Sequence, residues 1–250
     1  RYVHGFRADG RPATLGMKKF AHERHNYFWQ HAVHEDLYYR GQQRENELTL
    51  LDLVVEHHQD KQRSRASYLQ LLEQECGSLT VTPRHVFWLV REYVLVQNWE
   101  KVVVWADKYL DYPLNKVWAV ERGHALMYKA KALSNLGKAD EALACHFDSV
   151  RTAPREREVW VDMAWYHFVR KQWSQAYGVV SQALTLTTRP EHYLATEGAW
   201  GYKVHEMAFA CAMRMGLTAK AKEHIEVALR IGPVTEGLKT LARSVGVTVV

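Results

Sequence analysis

Hydrophobic and polar positions along this chain follow two periods, and the change falls near residue 60. Before it, residues 27–39 alternate. Phe28, Gln30, Ala32, His34 and Asp36 share one face, and Tyr27, Trp29, His31, Val33, Glu35 and Leu37 the other. A period of two is that of a strand, and this one is expected to pair with 14–23 or 48–56. Residues 1–6 are short and aromatic-rich. Asp9-Gly10 followed by Pro12 supplies a turn, and 14–23 make a poorer second strand. Arg24, His25 and Asn26 read as the next turn and 40–46 as a polar loop. The run 48–58, with Val54 and Val55 beside turn-like residues, reads as a further strand. Residues 1–60 are thus predicted to form a β meander.

From Gln59 the period becomes helical. Tyr68, Leu69, Leu71 and Leu72 stand on a charged background, and Gly77 stops that helix. A repeat follows. The Ala142 of Gly137-Lys138-Ala139-Asp140-Glu141-Ala142 matches Ala176 after Lys171-Gln172-Trp173, 34 residues on. Ala221 lies a further 45 residues on, so a longer loop intervenes, and Val102 precedes Ala142 by 40. Each unit closes on a proline: Pro113, Pro154, Pro190 and Pro233. Small residues belong where helices cross closely, and no single unit can bury its own apolar face. Over residues 84–235 the pattern resembles tetratricopeptide repeats. Val90 and Phe209 stand where that pattern has a small residue, so the first and last pairs are expected to splay. Trp88, Trp99, Trp105 and Trp118 read as core.

Composition narrows the function classes. A charged fraction of 24% and an apolar fraction of 47% suit a folded globular protein. The net charge of +5 is spread among acids, with no run of five like charges, which argues against a nucleic-acid surface. Three distant cysteines, Cys76, Cys145 and Cys211, argue against a disulfide framework and for a reducing cytoplasm, while the mild positive charge leaves open a site peripheral to an acidic membrane surface. No apolar run is long enough for a transmembrane segment. The start at Arg1, directly in strand-like sequence, suggests the C-terminal part of a longer protein.

Candidate chemistry concentrates in Trp29-Gln30-His31-Ala32-Val33-His34-Glu35-Asp36. With the strand leading to His57-His58 and a basic helix after it, this segment resembles the late catalytic-domain motif of family-2 glycosyltransferases of GT-A fold. The resemblance implies the following chain. Residues 1–60 would close an α/β catalytic domain, 61–83 would be a connecting helix, and 84–250 tetratricopeptide-like repeats, mainly α overall. A sugar would pass from a nucleotide-sugar donor to an acceptor hydroxyl on a glycan, lipid-linked glycan or protein. His34 would complete the shell of a Mn²⁺ or Mg²⁺ ion, Glu35 or Asp36 would act as base, and Trp29 and His58 would contact substrate. No Asp-x-Asp occurs in the chain, so the fragment alone is expected to be inactive. The alternative is a non-enzymatic tetratricopeptide-like adaptor that binds a peptide or protein partner in its groove. The fourteen histidines suggest no helical zinc-peptidase pattern, and Cys76 lacks an evident partner base.

Overall fold

A computed structural model describes residues 2–6, 12–16, 25–30, 36–41, 55–56, 66–78 and 81–248. The chain divides into two compact units. The first takes in Arg1–Trp118 and Glu191–Leu194, and the second Ala119–Pro190 and Ala195–Val250.

In the first unit, β1 (Tyr2–Phe6) pairs antiparallel with β2 (Pro12–Gly16), Val3 opposite Leu15. The alternating segment holds two strands, β3 (Tyr27–Gln30) and β4 (Asp36–Tyr39). The short β5 (Val55–Glu56) lies parallel to β1. The expected single strand across 27–39, paired with 14–23 or 48–56, does not form. β3 and β4 pair with each other, Gln30 opposite Asp36 and Tyr27 opposite Tyr39. Cross-strand rings fix this register: Tyr27 lies 5.0 Å from Tyr39, and Phe28 stacks on Tyr38 at 5.8 Å. A continuous alternation looks the same on one strand as on two joined without glycine or proline, so the period could not show the reversal.

Helix α1 (Ala66–Cys76) ends where Gly77 donates to the carbonyls of Glu73 and Gln74, each at 3.1 Å. Helices α2 (Pro83–Leu95) and α3 (Trp99–Leu110) form the first antiparallel pair. Pro83 opens α2 at a position that has no partner for an N–H, and Asn98 caps α3 by accepting from the Lys101 N–H at 3.2 Å. The four tryptophans expected in the core are all only partly buried, and Trp118 is 42% exposed. Trp88 instead stacks on Tyr193 at 5.1 Å, with the Arg91 guanidinium 4.3 Å from its ring centre.

The second unit is built of helix pairs. Its pairs are α4 (Ala119–Asn135) with α5 (Ala139–Thr152) and α6 (Arg157–Val169) with α7 (Trp173–Thr185). After the short α8 (Glu197–Trp200), α9 (Lys203–Arg214) pairs with α10 (Thr218–Ile231), and α11 (Glu236–Arg243) packs on α10. Ala142, Ala176 and Ala221 are fully buried, as the 34- and 45-residue spacings require. Val90 and Phe209 are buried too. The longer loop expected between the third and fourth units is the connection 186–202 that carries α8.

Each pair turns the same way. Gln97, Gly137, Lys171 and Gly216 take positive φ of 55°, 78°, 59° and 72°. The next residue then donates its N–H five residues back, as in Asn98 to Tyr93 at 3.0 Å, Lys138 to Leu133 at 2.9 Å, Gln172 to His167 at 3.0 Å and Leu217 to Ala212 at 2.9 Å. This is a Schellman cap, which satisfies carbonyls at the end of the first helix. Among the described residues, no helix is long and apolar enough to cross a membrane.

Candidate functional site

The residues singled out at the start of the chain are placed only in part. Trp29 lies on β3 and is 53% exposed. Asp36 opens β4 opposite Gln30. His34, Glu35 and His58 lie outside the described residues, and so does the expected grouping of His34 with Asp36 or His58. The Cys76 thiol is pushed up to about 12, first by burial and then by Glu75, so it is protonated at neutral pH.

The polar residues that do converge are in the second unit. His124 on α4, Glu156 at the N-cap of α6 and Glu158 in its first turn each place a ligand atom within 4.8 Å of the other two. All three side chains are buried. His124 and Glu158 are 34 residues apart, so they hold the same place in successive repeats and meet when α4 and α6 pack together. That spacing is present in the sequence, but neither residue is among the small ones that mark the repeat.

The connection 186–202 builds the other side of this cluster. Glu158 Oε1 accepts from the Thr196 N–H at 2.8 Å and from the Trp200 Nε1–H at 2.9 Å. Arg157 donates from Nη1 to the Ala199 carbonyl at 3.5 Å and from Nη2 to the Leu186 carbonyl. Its guanidinium lies 4.0 Å from the Trp200 ring centre. Arg189 knits the same segment, donating to Glu197 at 3.2 Å and to the Ala195 carbonyl at 2.9 Å. Burial pushes the Glu158 carboxyl above its usual range, and the donated hydrogen bonds from Thr196 and Trp200 pull the other way.

Two further histidine clusters lie in this unit, one around the buried His146 and one around the half-buried His205 and His224. His146 Nδ1 lies 3.9 Å from Asp162 Oδ2, with its ring 5.0 Å from Tyr166. His205 and His224 stand with ring centres 5.7 Å apart, and Tyr177 Oη is 3.4 Å from His224 Nε2. Burial and then the neighbouring His224 hold His205 down to about 4, so the pair carries little charge at neutral pH.

The outer face of α6 is apolar where solvent reaches it. Trp165 is 54% exposed and Val169, one turn on, 51% exposed. Trp165 stacks on Phe168 at 5.4 Å, and Phe168 meets the edge of Trp173 at 5.5 Å.

No protein-family model matches the chain, and no curated protein matches its sequence. Solved structures do match it. The C-terminal part of a tetratricopeptide-repeat protein from Cytophaga hutchinsonii has a TM-score of 0.56 at 13% identity, covering 72% of this chain and 64% of that one. MamA has a TM-score of 0.51 at 8% identity, over 65% of this chain and 85% of that one. A thermophilic tetratricopeptide protein of Thermus thermophilus has a TM-score of 0.49 at 16% identity, over 71% and 88%. The helical array has the tetratricopeptide-repeat fold. The neighbours with TM-scores of 0.56 and 0.51 overturn the glycosyltransferase expectation: what the chain is similar to is a helical repeat fold. The nucleotide-sugar donor has no support either. Residues 31–35 of the Trp29–Glu35 motif lie outside the described residues, and so short a motif is weak evidence without its structural context.

Proposed function

We propose that the chain is a non-enzymatic adaptor that holds a peptide or protein partner on its helical repeats. The observation that carries this reading is the Trp165 face. An indole 54% exposed on a well-packed repeat helix, stacked on Phe168 and followed by exposed Val169, is a preformed apolar platform. Its backbone is held from behind by fully buried Ala164 and Ala176, so binding requires little ordering of this surface. Rigid aromatic anchors of this kind dominate the energetics of protein interfaces. The tetratricopeptide fold supports the reading, because stacked repeats serve as binding surfaces.

Panning a random peptide display library against the 250-residue chain tests this. The wild type is expected to enrich peptides with a large apolar anchor. Trp165→Ala, with unchanged helical circular dichroism, should bind them at least tenfold more weakly, about 1.4 kcal/mol or more. Failure to enrich any peptide, or equal binding by Trp165→Ala, would refute the assignment of this face.

A further inference from the structure

We propose that His124, Glu156 and Glu158 bind one divalent transition-metal ion, with Zn²⁺ the cation that suits them best. The ion would clamp two successive repeats and the connection between α7 and α9.

Geometry comes first. One ligand atom from each residue already lies within 4.8 Å of the other two. A zinc ion about 2.0–2.2 Å from each ligand requires them roughly 3.4 Å apart, a change within reach of side-chain rotation. The imidazole is oriented for the task. His124 Nδ1 lies 2.9 Å from the Val120 carbonyl oxygen, and a carbonyl can only accept, so Nδ1 carries the hydrogen. The second nitrogen, Nε2, is then the ligand position. A backbone carbonyl that fixes the tautomer in this way is the usual outer partner of a metal-bound histidine.

Glu158 supplies an independent pointer. Its side chain is only 5% exposed, and Oε1 is fully engaged by Thr196 and Trp200. Oε2 is buried and has no hydrogen-bond partner. A buried carboxylate oxygen left in that state costs free energy unless a cation or proton meets it. Arg157 attracts the Glu158 charge from the next position, but its Nη groups donate to the Leu186 and Ala199 carbonyls and its face lies on Trp200, so it makes no hydrogen bond to Oε2. A divalent ion would meet that oxygen and offset the negative charge of the carboxylates.

The donor set selects the metal. One imidazole nitrogen with carboxylate oxygens suits Zn²⁺, and Mn²⁺ less well. Mg²⁺, which prefers all-oxygen octahedral shells, fits poorly. Three protein ligands leave a fourth position for water. The ion would join α4 to α6, and through Glu158 it would hold Thr196 and Trp200, so its first effect is structural.

The test uses the full chain. Purified protein is stripped with chelator, reloaded separately with Zn²⁺, Mn²⁺ or Mg²⁺, desalted and assayed for metal content and thermal midpoint. One Zn²⁺ per chain and a raised midpoint are expected, with weaker Mn²⁺ retention and no Mg²⁺. Glu158→Gln keeps an Oε1 acceptor for Thr196 and Trp200, so its fold should persist while zinc affinity falls at least tenfold. His124→Ala should show the same loss. X-ray absorption of zinc-loaded wild type, which depends on no variant, should show one imidazole and an otherwise oxygen shell. Absence of stoichiometric zinc, unchanged affinity in both variants, or a shell of two or more imidazoles would overturn the proposal. The last result would place zinc instead at a site such as the His205–His224 pair.

Discussion

At the scale of single residues, the second unit holds two histidines, His146 and His205, whose charged form burial disfavours. His146 is 1% exposed, and it faces Asp162, Tyr166, His167 and Arg170. Burial first, and then the charges of His167 and Arg170, hold it down to about 4. An unfolded histidine titrates near 6.5. Between about 6.5 and about 4 the unfolded chain therefore binds a proton that the folded chain refuses, and stability falls as pH drops through that window. His205, also held to about 4, acts in the same direction. Asp162 opposes them. Burial raises it to about 6 from 3.8, so between those values the folded state keeps a proton and gains stability as pH falls. Of these three groups, the two histidines outweigh the aspartate, and together they contribute acid lability. At pH 5 the His146 share is about 2 kcal/mol. His146→Leu should remove that share, because it deletes a buried Nδ1 that has no hydrogen-bond partner. Urea midpoints at pH 7.5 and pH 5 provide the check. The variant should lose less stability than wild type between the two, and an identical loss would mean that His146 titrates normally in the fold.

At the scale of elements, the four left-handed turns show what the sequence revealed and what it hid. Gly137 and Gly216 suit this turn, since glycine adopts positive φ without a Cβ clash. Gln97 and Lys171 occupy the same turn at φ of 55° and 59°, and nothing in their chemistry announces it. The buried residues five positions later, Val102, Ala142, Ala176 and Ala221, carried the register instead, because a close helix crossing favours a compact side chain whatever the turn residue. The same logic explains the polar cluster. His124 and Glu158 are unremarkable singly, and only their 34-residue separation brings them together. The Thr196 and Trp200 contacts to Glu158 were not legible at all, since they depend on how the connection 186–202 folds back. The turn at Lys171 also makes a prediction. A left-handed residue with a Cβ costs about 1–2 kcal/mol, and glycine gives back roughly 0.5–1 kcal/mol through the greater freedom of the unfolded chain. Lys171 is exposed, so little packing is lost on its removal. Lys171→Gly should therefore stabilise the fold by several tenths to about 1 kcal/mol in a denaturant melt. Destabilisation would show that the lysine side chain makes a contact worth more than the backbone strain.

At the scale of the whole molecule, stability in a repeat array is a sum of local terms and nearest-neighbour interfaces, and a helix that covers an apolar face has effects weighted toward its own end. Helix α11 is such a helix. Leu238 and Ala242 are fully buried in a cluster with Phe209, Ala212, Ala221, Ile225 and Ala228 from α9 and α10. Thr235 starts the helix by accepting from the Leu238 N–H at 3.2 Å, so the residue that fills the cluster is also the one that the cap positions. A second cluster, with Ala164, Ala176, Val180, Val204 and Met207, joins α6 and α7 to α9. A third, with Met127, Val150, Val159 and Met163, joins α4 and α5 to α6. Neither of these shares a buried residue with the cluster under α11. Leu238→Ala should then cost roughly 2–5 kcal/mol at its own site, by loss of transfer energy and the cavity left behind. The loss should fade with distance along the array. Hydrogen exchange followed by mass spectrometry separates the possibilities. Amides of α9, α10 and α11 should exchange faster in the variant, while those of α4 and α5 change little, because nearest-neighbour coupling passes on only part of the loss. Equal acceleration from α4 to α11 would mean that the second unit unfolds as one cooperative block and that the repeat description does not govern its energetics.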